Sequence, residues 1–257
     1  MPRTSLATTR LIVLVAFLGL WEAGADVGVI DPYFLPAPRD VALAVWKLVA
    51  SGDLAKHLPT TLGEAATGLV IGGVLATALG ILSGRLRRLG DTVEPFAVLG
   101  NAVPRIVLAP LFVFWLGIGP TSKVALSALM VFFVVYLAVF SGMRQAEARF
   151  VEHARLLGAR PLDIVREVYV PSILGWLFAS LRLALGFAFS GAVIGELLGS
   201  SRGLGYLVNA ASGRFDPAGI LAVVFVILLI IGLAFAALSS VERRTLRWRA
   251  SETVSVG

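Results

Sequence analysis

The sequence has 257 residues, 58% of them hydrophobic and 15% charged, with a net charge of +6. A soluble domain carries about 25% charged residues, so this composition excludes an ordinary soluble protein. Its apolar residues come in long blocks, and about 20 consecutive apolar residues cross a bilayer as a helix. The chain is therefore predicted to be an all-α polytopic membrane protein. The short alternating strands of an outer-membrane barrel are not seen.

Six apolar segments follow one another along the chain, at 11–25, 62–83, 93–117, 124–143, 173–198 and 220–239. They predict six transmembrane helices in a single domain that spans residues 1–257. In the third segment, Pro104 and Pro110 are each expected to kink the helix, because proline removes an internal hydrogen bond. In the second, Gly68 and Gly72 are spaced as small residues are where two membrane helices pack closely.

The basic residues give an orientation. With the N-terminus in the cytoplasm, 14 of the 22 Lys and Arg residues lie on the inner side, six on the outer side and two, Arg105 and Arg182, within spans. This bias follows the positive-inside rule. Both termini and the charged stretch 145–171 are then cytoplasmic.

No catalytic pattern is present in the sequence. The stretch nearest to a phosphate-binding loop, GIGPTSK at 117–123, lacks a glycine directly before its lysine and follows a membrane span rather than a strand. Cysteine is absent, and the chain has two histidines. We expect no catalytic residue, no metal site and no cofactor. We also expect no nucleic-acid partner, because no aromatic and basic motif accompanies the charge.

Polar residues inside the apolar segments are candidates for a solute path. Asn101 lies one turn before Arg105 on the same face of the third segment. A charge near the membrane centre usually faces a cavity or a partner, although an arginine can also extend to the interface. Both readings stay open for Arg105. Arg182 and Glu196 in the fifth segment are either further path residues or partners of charges on neighbouring helices.

The stretch 145–171 predicts two short cytoplasmic helices. Gly158 suits the left-handed position that follows a helix, and Pro161 suits the first turn of a second helix over 161–168. Pro171 is expected to mark the end of this second helix and the entry to the fifth span. A plain connector would be shorter, so the segment is predicted to dock a partner.

This stretch resembles the EAA loop of binding-protein-dependent ABC importer permeases, E-A-A-x-x-x-G followed by I-x-L-P. The matching positions are Glu152, Ala154, Gly158, Val168 and Pro171. The sequence departs from the pattern in having histidine in place of the middle alanine and valine before the proline. A second partial match, EAATG at 64–68, has the wrong spacing and lies in a membrane segment.

Four further stretches resemble the nitrate, sulfonate and taurine branch of these permeases: LPAPRDV, HLPTTLGEAATGLVIG, VPRIVLAPLFVFWLGIGPTSK and IGELLGSSRGLGYLV. The resemblance implies a type I, MetI-like permease in the bacterial inner membrane, present in two copies that are expected to be identical. It also implies two ATP-binding cassette subunits, which carry the ATPase activity, and an extracytoplasmic solute-binding protein. Glu152, Ala154, Gly158 and Pro171 are then ATPase-coupling residues. The branch covers several kinds of solute, and Arg105 favours a small anion such as nitrate, a sulfonate or taurine.

Two alternatives remain open. The first segment, with Arg3 and Arg10 before it and Ala23-Gly24-Ala25 at its end, also has the features of a cleavable signal peptide. The resemblance favours an uncleaved helix. The alternative function is a secondary transporter driven by an ion gradient. Such a protein needs acidic groups within the membrane, where Glu196 and Glu94 come nearest, and more often shows internal repeats, which are not found.

Overall fold

A computed structural model describes residues 3–145 and 148–245, with side chains for 8–104, 106–145 and 150–245. All regular structure in these residues is helical, as the sequence predicts. The α-helices, in chain order, are α1 Arg3–Asp26, α2 Pro38–Ala50, α3 Asp53–Arg85, α4 Arg87–Ala102, α5 Ala109–Leu116, α6 Pro120–Gln145, α7 Ala148–Leu156, α8 Pro161–Ile164, α9 Val170–Leu198, α10 Leu204–Gly213 and α11 Pro217–Thr245. A 3₁₀ helix covers Arg105–Leu108 and a π-helix covers Val165–Tyr169.

Five helical rods in the described part of the chain are long and apolar enough to cross a membrane. They are Thr8–Asp26, Asp53–Arg85, Pro120–Gln145, Pro161–Leu198 and Pro217–Thr245. Arg87–Ala102 and Ile106–Leu116 together qualify as a sixth, broken span with a bend of 88°. The six predicted segments are thus all accounted for.

The third predicted span is broken once rather than kinked twice. Helix α4 ends at Ala102, and Val103 and Pro104 have extended backbone before the 3₁₀ helix begins. Pro110 lies in the first turn of α5, where no helical hydrogen bond is lost because the first N–H groups have no partner within a helix. The predicted kink at Pro110 is therefore wrong, whereas the break at Pro104 is confirmed.

Helices α3, α6 and α9 pack against one another as the core of the described structure. Close approach depends on small residues. A Cβ atom built on Gly68 would overlap the Ser127 side chain of α6, and one built on Gly72 would overlap the Ala128 backbone. Ser127 Oγ donates a hydrogen bond to the Ala188 carbonyl oxygen of α9 at 3.0 Å. The predicted close packing of the second span is confirmed.

The first two helices lie outside this core. Helix α1 is exposed along most of its described length and meets α2 through Arg39, which forms ion pairs with Glu22 and Asp26 at 3.0 and 2.6 Å. Helix α2 packs against α11 and α3. Its Val41 is buried, whereas Trp46 on another face is 67% exposed. Helix α2 is therefore a short helix packed as a connector between α1 and the later helices.

Candidate functional site

The predicted end of α7 is confirmed by its hydrogen bonds. Gly158 has a φ of 81°, and its N–H donates to the Arg155 carbonyl oxygen at 3.0 Å. The N–H of Ala159 donates to the Ala154 carbonyl oxygen at 2.9 Å. These two bonds form a Schellman motif, in which the left-handed residue is usually glycine because other residues are strained there. Gly158 therefore makes the chain turn sharply between α7 and α8.

Beyond this turn the helix continues into the membrane span. Pro161 begins α8, and the Arg160 N–H donates to Asp163 Oδ2 at 2.9 Å. The helix then widens into a π turn in which the Val170 N–H bonds to the Val165 carbonyl oxygen. Pro171 marks the entry to the fifth span as predicted, because it lies in the first turn of α9. The predicted helix end at this residue is wrong, since the missing N–H is tolerated after this rearrangement and the helix continues.

We call residues 148–164 the elbow. Its surface carries exposed leucines, with Leu156 and Leu162 80% exposed and Leu157 87% exposed. Of the predicted coupling residues, Glu152 and Gly158 are exposed and Ala154 is half-buried. Exposed apolar patches of this kind usually mark a site of protein interaction. Residues 146 and 147 of the predicted segment 145–171 lie outside the described residues.

A cavity of about 650 Å³ lies beside the break in the third span. It is lined by Asn101, Val103, Ile106, Met130, Val134, Leu137, Leu183 and Phe187. Asn101 therefore lines the cavity that adjoins three elements: the broken span, α6 and α9. The side chain of Arg105 lies outside the described residues, but its backbone stands between two lining residues, Val103 and Ile106.

The other two path candidates lie elsewhere. Arg182 does not line the cavity but forms an ion pair with Glu242 of α11. Glu196 is completely buried. Its Oε1 accepts a hydrogen bond from Thr61 Oγ1 at 2.7 Å, and its Oε2 accepts one from the Gly205 N–H at 2.6 Å. In this conformation Arg182 and Glu196 both act as partners of neighbouring elements.

Glu196 belongs to a buried polar cluster that the sequence analysis did not identify. The other charged or polar side chains in it are His57, Thr61, Glu64 and Lys123, all less than 6% exposed. In the sequence, Glu64 belongs to the partial motif match at 64–68, and Lys123 is one of the six basic residues on the outer side. The available signal was helical spacing, because His57, Thr61 and Glu64 share the face of α3 that continues into Gly68 and Gly72.

Comparison with known proteins agrees with this architecture. Residues 68–247 match the family described as the binding-protein-dependent transport system inner membrane component. SsuC of Bacillus subtilis, which is named for aliphatic sulfonates transport, is 32% identical over 94% of this chain and 87% of its own length. The formylaminopyrimidine transport permease protein ThiX of Halalkalibacterium halodurans is 32% identical over 97% of this chain and 99% of its own. The taurine transport system permease protein TauC of Escherichia coli is 28% identical over 96% and 92%.

A solved structure shares the fold. An inward-facing structure of the MetNI methionine ABC transporter superposes with a TM-score of 0.64 at 20% sequence identity, covering 77% of this chain and 96% of that chain. The helical fold is therefore MetI-like. From the family match and the relatives, the chain belongs to the binding-protein-dependent transport system inner membrane components: it is a multi-pass permease subunit of an ABC importer and not an enzyme.

Proposed function

We propose that this permease carries a small organic anion of the sulfonate type along the cavity at the broken third span, driven by ATPase subunits that dock on the elbow. The observation that carries the coupling role is the exposed apolar surface of the elbow. A Leu side chain that is 80% or more exposed gains free energy when a partner covers it, because burial removes apolar area from water.

The helical continuity beyond the elbow supports the same role. From Pro161 to Leu198 the chain forms one helical rod, so a displacement of α8 is passed directly to α9. Rigid-body movement of packed elements is a common form of conformational change. ATP binding to the partner would favour one orientation of the path, and hydrolysis would restore the other.

The anionic solute is supported by Arg105, whose backbone stands at the break after Pro104 between the cavity-lining residues Val103 and Ile106. A guanidinium in a membrane span is costly and usually serves a functional partner. The apolar lining suits the organic part of such a solute. Two of the three relatives are named for sulfonates or taurine, whereas the third is named for a pyrimidine.

The proposed assembly has a second copy of this permease, two ATP-binding cassette subunits and an extracytoplasmic solute-binding protein. Its orientation places both termini and the elbow in the cytoplasm, in agreement with the excess of basic residues on that side. The solute would then enter at the end of the core helices that lies opposite the elbow.

The test of coupling is Gly158→Glu, with Gly52→Glu as the control. Both glycines have a left-handed backbone, with φ of 81° and 78°, and neither has an atom within 4 Å of a built Cβ. The backbone strain is therefore matched, while only Gly158 lies in the elbow. We expect Gly158→Glu to insert normally, to lose co-purification with the ATPase and to reduce uptake by at least about tenfold, as a loss of about 1.4 kcal/mol at the interface would do.

Gly52→Glu is expected to keep the ATPase attached. Two results would contradict the coupling role: normal ATP-driven uptake by Gly158→Glu, or equal loss of the ATPase from both variants.

A further inference from the structure

The buried polar cluster lies at the end of the core helices that is opposite the elbow. It forms where the N-terminal part of α3, the first turn of α6 and the last turn of α9 meet. Glu196 is 0% exposed, Lys123 4% and Glu64 5%. Three ionisable side chains are thus almost completely removed from water, and each needs a partner of opposite charge or a bound proton.

Glu196 acts as an ionised acceptor. The Leu204 N–H donates to Thr61 Oγ1 at 2.8 Å, so the single hydroxyl proton of Thr61 is free to be donated to Glu196 Oε1, 2.7 Å away. The other oxygen, Oε2, accepts the Gly205 N–H. Both oxygens of Glu196 therefore receive hydrogen bonds, as a carboxylate does.

Glu64 is in a different situation. Its Oε2 is buried and receives no hydrogen bond from the described residues. Its Oε1 lies 4.0 Å from Lys123 Nζ, which is too far for a hydrogen bond. The Glu64 carboxyl instead meets the Glu196 carboxyl. Two carboxyl groups in contact cannot both be ionised, and one proton between them turns repulsion into a hydrogen bond.

The charges then balance. With one proton on Glu64, the cluster contains a single carboxylate, on Glu196, and a single ammonium, on Lys123. Lys123 Nζ also donates to the Ile118 carbonyl oxygen and to Ser200 Oγ, both at 3.1 Å. Without that proton, the cluster would hold an uncompensated buried negative charge, which is strongly unfavourable.

The cluster fastens residues 199–205, which we call the turn 199–205 and which include the first two residues of α10, to the core. The Gly203 N–H donates to His57 Nδ1 at 3.1 Å, and a Cβ on Gly203 would overlap the Glu196 carboxyl. Together with the bonds from Leu204 and Gly205, three successive backbone N–H groups of the turn are held by side chains of this cluster. The turn can leave the core only if these bonds break.

We propose that Glu64 carries a proton that it shares with Glu196, and that this proton keeps the turn 199–205 locked on the core helices as a latch opposite the elbow. A cavity of about 580 Å³, whose lining includes Glu64, Lys123 and Arg202, adjoins the cluster. Protons can exchange with the solvent of that side through this cavity. The charged and titratable groups around Glu64 are His57 on its own helix, Lys123 of α6, Glu196 of α9 and Arg202 of the turn.

The direction of the pH effect follows from the latch. The proton is bound at low pH and leaves as the pH on that side rises, so the latch weakens on alkalinisation. Replacement of Glu64 by Gln removes this dependence, because an amide N–H donates to Glu196 at every pH. Replacement of Glu196 by Gln should instead weaken the latch at every pH, because the amide group places a donor where Thr61 or Gly205 already donates.

Infrared spectroscopy of the full chain, purified with the subunits that accompany it, tests the proton directly. We expect the carbonyl band of a protonated carboxylic acid at neutral pH, its loss in Glu64→Gln, and its retention in the control Glu22→Gln, which alters a carboxylate paired with Arg39. A wild-type spectrum without this band, or a band that persists in Glu64→Gln, overturns the proposal.

Hydrogen exchange of the peptide 199–206 tests the latch. After correction for intrinsic exchange rates, protection in the wild type should fall at least about tenfold as the pH is raised, because local opening sets the exchange rate. Glu64→Gln should keep its protection at all pH values, and Glu196→Gln should lose it throughout. Identical pH profiles for wild type and Glu64→Gln overturn the proposal, even if Glu196→Gln proves too unstable to purify.

Discussion

Arg105 is the residue for which position and chemistry bear most directly on solute transport. It follows Pro104 at the break of the third span, and its neighbours on both sides line the cavity. Arg182 is the natural comparison, since it is also an arginine within a span but is paired with Glu242 of α11. Arg105 therefore belongs to the proposed path, whereas Arg182 joins α9 to α11.

We expect Arg105→Ala to reduce uptake of the anionic solute by at least about tenfold, as loss of one charge-assisted hydrogen bond of about 1.5–3 kcal/mol would do. Arg182→Ala should change uptake little, because half-exposed ion pairs contribute about 0–1 kcal/mol. Initial rates of uptake in reconstituted vesicles, at matched protein content, measure both. Unchanged kinetics for Arg105→Ala would remove Arg105 from the path.

Only part of the buried cluster could be predicted from the sequence. Arg105, Arg182 and Glu196 were selected because a charge inside an apolar segment is conspicuous by itself. Glu64 and Lys123 stand near the ends of their segments, where charges are usual, and only tertiary contact shows that both are buried. Which of two neighbouring carboxyls holds a proton depends on hydrogen-bond donors from the turn 199–205, which is remote in sequence from Glu64.

Among the elements, most helices were predictable because their apolar segments are long and end near charged residues or glycine. The errors concern proline. Pro110 and Pro171 were expected to interrupt helices, but each lies in the first turn of one, where a missing N–H costs little. For Pro171 the outcome also depends on a π turn, and hydrophobic periodicity does not predict a change from i→i−4 to i→i−5 bonds. As a result, α8 and α9 form one continuous helical rod, which can transmit a displacement.

The packing of α3 on α6 gives a second prediction at this scale. A Cβ on Gly72 would overlap the Ala128 backbone, whereas a Cβ on the adjacent Gly73 has no atom within 4 Å. Gly72→Leu should therefore force the two helices apart, at a cost of about 1–3 kcal/mol or more for an overpacked core. Gly73→Leu is the matched control, with the same substitution in the same helix and no loss of packing.

Thermal unfolding in one detergent should show a clearly lower midpoint for Gly72→Leu than for Gly73→Leu. Equal midpoints would mean that the close contact between α3 and α6 does not limit stability. Membrane insertion should be normal for both variants, because leucine favours insertion of a helix. A difference in yield alone would not serve as the readout.

At the scale of the whole molecule, the two ends of the helical core have different tasks. The elbow end presents apolar side chains that suit docking, whereas the opposite end holds polar groups in a closed cluster around the turn 199–205. A transporter must keep one end of its path shut while the other is open. If the elbow is cytoplasmic, the latch lies at the outer end of the core helices, which must be closed while the inner end is open.

The cytoplasmic position of the elbow can be tested because the chain has no cysteine, so each single-cysteine variant has one labelling site. Leu157 in the elbow is 87% exposed, and Val29 in the connection from α1 to α2 is 82% exposed. With the proposed orientation, a membrane-impermeant maleimide added to whole cells should label Val29→Cys and leave Leu157→Cys unlabelled. Inverted vesicles from cells that express the permease without its ATPase subunits, so that the elbow is uncovered, should give the reverse, because a charged reagent does not cross the hydrocarbon layer. Labelling of Leu157→Cys in intact cells would place the elbow outside, where no cytoplasmic ATPase could reach it. In that case the coupling role and the assignment of the latch to the outer end would both fail, whereas the shared proton of Glu64 and Glu196 would still stand on its own spectroscopic test.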